Sequence, residues 1–405
     1  MSRILYSWEL GEDLGHTSNF LPLAASLRLR GHEIVAALRE LPRSDVLGKH
    51  GVTLFQAPLW QGPAHGLPNP PLSFAEILFH FGYLDGAGLV GMLRGWRSLL
   101  RLVAPDLMIA DHAPTALLAA RTLGVPSATF GHGFFLPPSV SPMPNMRPWM
   151  QVPFQRPIDS ERRALTVVNG ALAEFGARAL DRLADIYDVA DHFLMTYSEL
   201  DHYPGRGAAR YEGVILSAED GLIPDWPADG GKKVFAYLKP HYADFEKLLI
   251  ALAALDCRVI VYCPGLGARD ALPFQDRRIH ISAHPYNIHR AAAECDLAIC
   301  HGGQGTVVAS LLAGKPLLLL PLQLEQHLLS LRVAEFGAGV MIDFEVRDKD
   351  FAGAAKHLID DPRFALRARD FALRYGDLAQ DRIIASIADR CERILAIPGD
   401  RMDRL

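Results

Sequence analysis

Short apolar runs alternate along the chain with longer segments whose apolar positions recur at helical spacing. In the first third, this pattern predicts strands at 3–8, 33–38, 107–110 and 126–130, and helices at 19–30 and 114–123. In the second half, it predicts strands at 234–238, 258–262, 297–300 and 317–322, and helices at 243–254, 287–294 and 306–313. Alternation of strand and helix is typical of a parallel sheet covered on both faces, so the chain is expected to contain two α/β halves.

The boundary between the halves is rich in proline, glycine and acidic residues. It reads SAEDGLIPDWPADGGKK and is typical of an interdomain linker. Apolar residues at helical spacing between 362 and 397 predict packing helices in the tail. We therefore expect a first domain at 1–215, a linker at 216–233, a second domain at 234–385, and a C-terminal helix at 386–405 that packs back on the first domain.

Two stretches of the first half lack a regular pattern. Residues 59–97 are rich in Gly, Pro, Phe and Trp, and residues 134–154 contain several prolines, which exclude a regular helix. Long irregular segments at strand ends often carry binding surfaces. We expect these two segments to line an apolar, concave binding cleft.

The charge of the chain is low for its size. Its 405 residues carry a formal net charge of -5, the sequence pI is about 6.3, and basic residues do not cluster. A nucleic-acid partner is therefore not expected. The N-terminus has too short an apolar run for a signal peptide, and no run approaches the roughly 18 residues of a transmembrane segment. These features predict a cytoplasmic protein.

A glycine-rich turn with one histidine joins a predicted strand to a predicted helix. Glycines let the backbone approach a ligand, and the first N–H groups of a helix are free to bind an anion. An imidazole N–H and a threonine hydroxyl add two further donors, so the turn predicts a phosphate or diphosphate site. The residues of this turn are His301, Gly302, Gly303, Gly305 and Thr306.

An acidic residue and an amide follow the next predicted strand. Glu325 and Gln326 lie at the carboxyl end of a parallel strand, where open α/β sheets bind ligands. A carboxylate beside an amide suits vicinal hydroxyls, which need hydrogen-bond acceptors and a donor together. The pair falls 24 and 25 positions after His301.

The run from His301 to Gly339 resembles the donor signature of nucleotide-sugar-dependent glycosyltransferases with the GT-B fold, in the family 1 (UDP-glycosyltransferase-like) group. In that family a histidine, glycines and a Ser or Thr bind the diphosphate, and an Asp/Glu-Gln pair at the same spacing binds the sugar. The resemblance implies two Rossmann-like parallel-sheet domains that face each other across a cleft, with the acceptor on the first domain and the donor on the second. One position departs from the family, because Ala309 stands where many members have a ribose-binding Glu.

The first domain resembles the same family at two strand ends. His16, before the first helix, is similar to the histidine that acts as the general base, although five residues rather than two separate it from Pro22. Asp111 matches the aspartate that orients this histidine, fixes its tautomer and stabilises it as it takes a proton. For both residues the alternative is a local role in capping the following helix. Three carboxylates of the same loop are alternative bases: Glu9, Glu12 and Asp13.

Further binding residues are expected in both domains. Lys239 stands where the family usually has a Gly-Ser turn, and it is a candidate for the diphosphate site. His284 begins the HPYN loop that corresponds to the family's base-binding loop. The predicted acceptor-binding residues are His112, His132, Phe134 and Trp60.

The resemblance implies an inverting glycosyltransferase of the hexosyltransferase class. It would move a sugar from a UDP- or dTDP-sugar co-substrate to a hydroxyl of a small-molecule or lipid-like, partly apolar acceptor. No acidic pair with metal-ligand spacing is found in the sequence, so we expect metal independence and no other cofactor. Two alternatives remain open: a nucleotide-sugar 2-epimerase-like isomerase that acts on the donor alone, and a non-catalytic protein that binds a nucleotide sugar or a partner.

Overall fold

The chain folds into two compact units. The computed structural model describes residues 1–11, 15–42, 45–63, 67–216, 221–274, 277–343 and 346–397. The first unit comprises Met1–Tyr197, Tyr203–Ile215 and Gln380–Leu405, and the second comprises Ser198–His202 and Leu216–Ala379. No described helix has the length and apolar character needed to cross a membrane.

The first unit is built on a parallel sheet with the strand order β3-β2-β1-β4-β5-β6. The strands are β1 Arg3–Trp8, β2 Glu33–Leu38, β3 Thr53–Gln56, β4 Leu107–Asp111, β5 Ser127–Gly131 and β6 Asp191–Leu194. The helices are α1 Gly15–Leu29, α2 Asp45–Lys49, α3 Phe74–Phe79, α4 Gly86–Val103, α5 Pro114–Arg121 and α6 Gln155–Ala173.

The second unit is built on a parallel sheet with the strand order β12-β11-β10-β7-β8-β9. The strands are β7 Lys232–Tyr237, β8 Cys257–Tyr262, β9 Ile279–Ser282, β10 Leu297–Cys300, β11 Leu317–Leu319 and β12 Gly339–Met341. The helices are α7 Phe245–Ala253, α8 Ala268–Ala271, α9 Ile288–Glu294, α10 Gln304–Leu312, α11 Leu324–Phe336, α12 Phe351–Asp360 and α13 Pro362–Tyr375. The last helix, α14 Gln380–Ala396, belongs to the first unit and packs on α1.

Strand order reverses once in each sheet, and this reversal positions the sites described below. In the first sheet it falls between β1 and β4, which pair so that Trp8 lies beside Asp111. In the second sheet it falls between β7 and β10, where Tyr237 lies beside Cys300. In open α/β sheets, ligands bind outside the carboxyl ends of the strands at such a point. The residues that follow Trp8, Asp111, Tyr237 and Cys300 are therefore the first to consider.

The prediction that residues 59–97 are irregular was wrong, because the segment contains α3 and most of α4. Four glycines obscured α4 in the sequence, although Asp85 caps its first turn by accepting a hydrogen bond from Gly88 N at 2.9 Å. Helix propensity is a weak prior that packing overrides. The buried positions of α4 do recur at helical spacing, and they are Leu89, Met92, Leu93, Trp96, Leu100 and Val103.

Candidate active site

His16 and Asp111 lie together at the carboxyl ends of β1 and β4. His16 is in the first turn of α1, Asp111 is the last residue of β4, and both side chains are buried. His16 Nδ1 lies 3.0 Å from Asp111 Oδ2. Because Nδ1 faces the carboxylate, Nε2 is the nitrogen that is able to take a proton.

Tyr6 belongs to this arrangement and was not predicted from the sequence. Its hydroxyl donates to Asp111 Oδ2 at 2.7 Å and lies 3.1 Å from the carbonyl oxygen of His16. Burial and the adjacent Asp111 carboxylate hold the pKa of Tyr6 well above its ordinary value, so the hydroxyl remains a donor. The signal that would have found it is the strand register, which pairs Tyr6 with Ile109, two residues before Asp111.

Three of the predicted acceptor-binding residues lie around Phe135, which was not predicted. The ring of Phe135 stacks on His112 at 4.3 Å and on His132 at 3.9 Å, and its centroid lies 4.8 Å from that of His16. The neighbouring Phe134 is buried and meets Phe135 edge to face. An aromatic surface therefore lies beside the imidazole of His16, and such a surface is suited to stacking against an apolar ring of a ligand.

Gly11 lies directly beside two imidazoles. Its φ of +85° is in the left-handed region. A Cβ atom at this position would lie 2.9 Å from His16 Nε2 and 3.2 Å from His112 Nδ1. Glycine is required here by backbone conformation and by the close approach of both rings.

Glu9, one of the alternative bases, has a different environment from His16. It is fully buried, and its Oε2 accepts hydrogen bonds from Thr115 N at 2.9 Å and Ala116 N at 3.4 Å, in the first turn of α5. Burial raises the pKa of Glu9 to about 7. The carboxyl group therefore caps α5. The other two alternative bases, Glu12 and Asp13, lie outside the described residues.

Trp60 is held by glycines on the loop and helix beside it. A Cβ atom at Gly62, Gly82 or Gly88 would lie within 2.6 Å of the indole ring, so the ring packs closely on three bare backbone positions. Trp60 remains partly exposed. The indole thus packs the segment that follows β3 against the start of α4.

In the second unit, His301 follows β10 and links two strand ends. Its Nδ1 donates to the Leu320 carbonyl oxygen at 2.7 Å, and its Nε2 accepts a hydrogen bond from Lys239 N at 2.9 Å. Burial lowers the pKa of His301 to about 4, so the ring is neutral at pH 7. In this arrangement the imidazole positions the Lys239 amide, whereas the sequence had predicted that it donates an N–H to a phosphate.

The glycine-rich turn after His301 opens α10. The helix begins at Gln304, two residues earlier than predicted, with Gly303 as its N-cap. Gly302 has a φ of +83°, and a Cβ atom there would lie 2.8 Å from the Gln326 carbonyl oxygen. A side chain at Gly303 or Gly305 would meet no protein atom within 4 Å. The free N–H groups of the first turn, which includes Thr306, therefore border open space.

Glu325 and Gln326 lie in the first turn of α11 rather than at the end of a strand, because β11 ends at Leu319. Gln326 Oε1 accepts a hydrogen bond from Leu322 N at 2.9 Å and so stabilises the loop that leads into the helix. Glu325 Oε1 lies 3.4 Å from His202 Nε2. Both side chains are partly exposed.

The HPYN loop follows β9 and forms a tight turn. Ser282 Oγ donates to the His284 carbonyl oxygen at 2.9 Å, and His284 N donates back to Ser282 Oγ at 3.0 Å. Asn287 caps α9 by accepting a hydrogen bond from Arg290 N at 3.0 Å. The imidazole of His284 is thus carried on a rigid turn.

Comparison with known proteins finds similarity to glycosyltransferases. Residues 246–394 match the model of the erythromycin biosynthesis protein CIII-like C-terminal domain. The chain is 25% identical over 320 residues to a PGL/p-HBAD biosynthesis glycosyltransferase of Mycobacterium tuberculosis, covering 69% of each chain. It is 24% identical to the elloramycin glycosyltransferase ElmGT of Streptomyces olivaceus, covering 96% of this chain and 97% of that one. The relatives that match most of the chain are therefore glycosyltransferases.

Solved structures agree on the fold. The calicheamicin glycosyltransferase CalG4 superimposes with a TM-score of 0.72 at 18% identity and covers 98% of this chain and 99% of its own. The glycosyltransferase VinC, in complex with DTDP, superimposes with a TM-score of 0.68 at 17% identity and covers 96% of this chain and 100% of its own. The predicted fold class, GT-B with two Rossmann-like parallel sheets, is confirmed. The enzyme is a glycosyltransferase that uses a nucleotide-sugar donor.

In this glycosyltransferase several of the predicted residues form one group in each unit. His16, Asp111, His112 and His132 surround the ends of β1, β4 and β5. In the second unit, the His301 turn and Lys239 meet at the ends of β10 and β7. The residues that sequence reasoning missed, Tyr6 and Phe135, both belong to the first group.

Proposed function

We propose that the enzyme transfers a sugar from a UDP- or dTDP-sugar to a hydroxyl of a small-molecule or lipid-like acceptor, with inversion at the anomeric carbon. The observation that carries the proposal is the buried His16–Asp111 pair at 3.0 Å, together with the Tyr6 hydroxyl that donates to the same carboxylate oxygen. His16 Nε2 accepts the hydroxyl proton as the oxygen attacks the anomeric carbon. The nucleoside diphosphate leaves from the opposite face with the bonding electrons.

The donor side of the proposal rests on backbone N–H groups and on side chains of the second unit. The free N–H groups at the start of α10, the Thr306 hydroxyl and the Lys239 side chain bind the diphosphate. Glu325 and Gln326 bind the sugar hydroxyls, and the His284 turn contacts the base. His301 acts through the Lys239 amide that it holds at 2.9 Å. Because these groups supply the stabilisation that a cation would give the leaving diphosphate, the reaction proceeds without a metal.

The acceptor side of the proposal rests on aromatic rings. Phe135, His112 and His132 form a stacked surface beside His16, which suits an acceptor with a flat apolar part next to its reacting hydroxyl. Two relatives support this class of acceptor, since their names connect them with elloramycin and calicheamicin.

The test is an incubation with UDP- and dTDP-sugars and a panel of hydroxylated aromatic and lipid acceptors, followed by NMR of the product. We expect a product whose anomeric configuration is opposite to that of the donor. Retention of configuration would refute direct displacement. An epimeric sugar formed from the donor alone would favour the 2-epimerase-like alternative.

Metal independence has a separate test. We expect EDTA to leave the transfer rate unchanged, because protein donors stabilise the diphosphate. Loss of turnover with EDTA and its recovery with Mg²⁺ would contradict this part of the proposal.

A further inference from the structure

His112 adopts a backbone conformation that is costly for a histidine. Its φ is +47°, in the left-handed region, and the only other described non-glycine residue with positive φ is Ala104, which ends α4. Such conformations cost about 1–3 kcal/mol and persist where the surrounding structure enforces them. Here the His112 carbonyl oxygen accepts a hydrogen bond from Leu10 N at 2.9 Å, which ties the end of β4 to the residues after β1. This hydrogen bond holds the backbone of the strained turn in place.

The imidazole of His112 is buried and unsatisfied. Its residue is 4% exposed, and neither ring nitrogen has a hydrogen-bond partner among the described residues. Burying polar groups without partners is unfavourable, so each such group calls for an explanation. Burial, together with nearby His16, holds the pKa of His112 well below its ordinary value. The ring is therefore neutral, with one N–H and one bare nitrogen.

Both imidazoles border the same small volume. The point one bond beyond the Gly11 Cα lies 2.9 Å from His16 Nε2 and 3.2 Å from His112 Nδ1. The two nitrogens are therefore at most 6.1 Å apart, so one atom between them can lie about 3 Å from each, which is a hydrogen-bond distance. The rings are nearly parallel, with an interplanar angle of 22° and centroids 6.4 Å apart. An oxygen atom between the two nitrogens, farther from the Gly11 Cα than a Cβ would be, is therefore within hydrogen-bond reach of both.

We propose that His112 is a second catalytic histidine, whose Nδ1–H donates a hydrogen bond to the acceptor hydroxyl oxygen while His16 Nε2 takes that hydroxyl's proton. This inference rests on the proposed function. The O–H bond breaks and its proton goes to His16, the oxygen bonds to the anomeric carbon, and the nucleoside diphosphate leaves with the electron pair. His112 keeps its proton throughout.

The role of this hydrogen bond follows from where charge develops. As the proton moves to His16, negative charge grows on the attacking oxygen, and a hydrogen bond to a charged acceptor is stronger than one to a neutral hydroxyl. An N–H already directed at that oxygen therefore stabilises the transition state more than the bound acceptor. This hydrogen bond also occupies one lone pair of the oxygen, so the other lone pair is directed at the anomeric carbon. Removal of His112 should therefore lower kcat more than it raises KM.

The experiment compares His112→Leu with His112→Asn. Leucine removes both nitrogens. Asparagine keeps a side-chain N–H close to the Cβ and is among the residues that best tolerate a positive φ. Single-turnover transfer to a phenolic probe, 4-methylumbelliferone, is measured with a saturating UDP- or dTDP-sugar. Donor affinity and thermal unfolding midpoint are measured for each variant.

We expect His112→Leu to slow transfer by about 10- to 100-fold, and His112→Asn to recover most of this loss. Donor affinity should match the wild type in both variants. Wild-type rates in His112→Leu, or equal loss in both variants at equal stability, would overturn the inference. His16→Ala is assayed in parallel, because an unchanged rate in that variant would refute the proposed base without removing an effect of His112→Leu.

Discussion

The two candidate sites use histidine in opposite ways. In the first unit, His16 is held at Nδ1 by the Asp111 side chain, and Nε2 has no hydrogen-bond partner among the described residues. In the second unit, both ring nitrogens of His301 are engaged by backbone groups, those of Leu320 and Lys239. The two imidazoles thus differ in their partners, and under the proposed function one is a base and the other a fixed support.

The difference follows from what each half of the reaction needs. Removing a proton from a hydroxyl requires a nitrogen with a free lone pair and a carboxylate that stabilises the resulting imidazolium. Binding a diphosphate requires several N–H donors in fixed positions, and under the proposed function the first turn of α10 supplies them. A histidine in the donor site is most useful when it holds such a backbone donor in place.

Asp111→Asn should have the largest effect on the first site. Asparagine keeps the shape but removes the charge that stabilises protonated His16, so we expect the single-turnover rate to fall by about 10²–10⁴-fold. Donor affinity should not change, because Asp111 is in the other unit from the His301 turn. A parallel loss of donor affinity in equilibrium binding would contradict the division of roles between the units.

Glu9→Gln should change the pH dependence of stability, because burial raises the pKa of Glu9 to about 7. Because the pKa is raised in the folded state, the folded protein retains the Glu9 proton more strongly than the unfolded chain does. The stability that this protonation contributes is complete below the ordinary value of 4.5 and is lost as the pH rises through about 7. The shift corresponds to about 3 kcal/mol.

Urea unfolding at pH 5 and pH 8 measures this effect. From pH 5 to pH 8, the free energy of unfolding should fall by up to about 3 kcal/mol more in the wild type than in Glu9→Gln. Equal losses in the two proteins would show that the Glu9 carboxyl group is not buried as described, and would return it to the alternative bases.

Gly11→Ala tests the space in front of the two imidazoles. We expect transfer to fall by about 10-fold or more, because the new methyl group would occupy the position within hydrogen-bond distance of His16 Nε2. The matched control is Gly31→Ala, since Gly31 has a φ of +88° and a Cβ atom there would meet nothing within 4 Å. Both variants carry the backbone cost, about 1–2 kcal/mol in thermal unfolding. Equal activities in the two variants would show that a methyl group at position 11 does not obstruct the space beside His16 and His112.

Gly305→Ala is the milder test of the donor site. Alanine favours a helix over glycine by up to about 1 kcal/mol, and a Cβ atom at Gly305 meets no protein atom within 4 Å, so the fold should be as stable or more so. Nucleoside diphosphate affinity should nevertheless fall by about 10-fold, because the methyl group narrows the approach to the first-turn amides. Gly170→Ala in α6 is the control, which should gain stability without loss of affinity. Unchanged affinity in Gly305→Ala would move the diphosphate away from α10.

The sequence predicted the parts of the fold that follow from short-range patterns. Strands β1, β2 and β10 have the bounds expected from their apolar runs, since each is a buried strand between clear turn signals. Helix α4 was not predicted because its glycines are typical of loops. Its buried face can be identified only when the packing is known. Strand β11 was predicted too long because Leu320 and Leu322 remain apolar after the strand ends.

The candidate site was predicted to a similar extent. His16 and Asp111 are placed by the ends of two neighbouring strands, which the alternation of strand and helix anticipates. Tyr6 and Phe135 depend on which side chains cross from one element to the next, and that information is not local in sequence. The backbone partners of His301 are equally non-local, because Lys239 and Leu320 come from two different strand ends.

The most direct test of the central claim is the single-turnover transfer rate of His16→Ala, measured by rapid quench at saturating donor and acceptor. In the proposed reaction His16 Nε2 is the atom that takes the proton of the acceptor hydroxyl. We expect the rate to fall by about 10²–10⁴-fold while nucleoside diphosphate affinity stays at the wild-type value. A rate within a few-fold of wild type would contradict the assignment of the base to the His16–Asp111 pair.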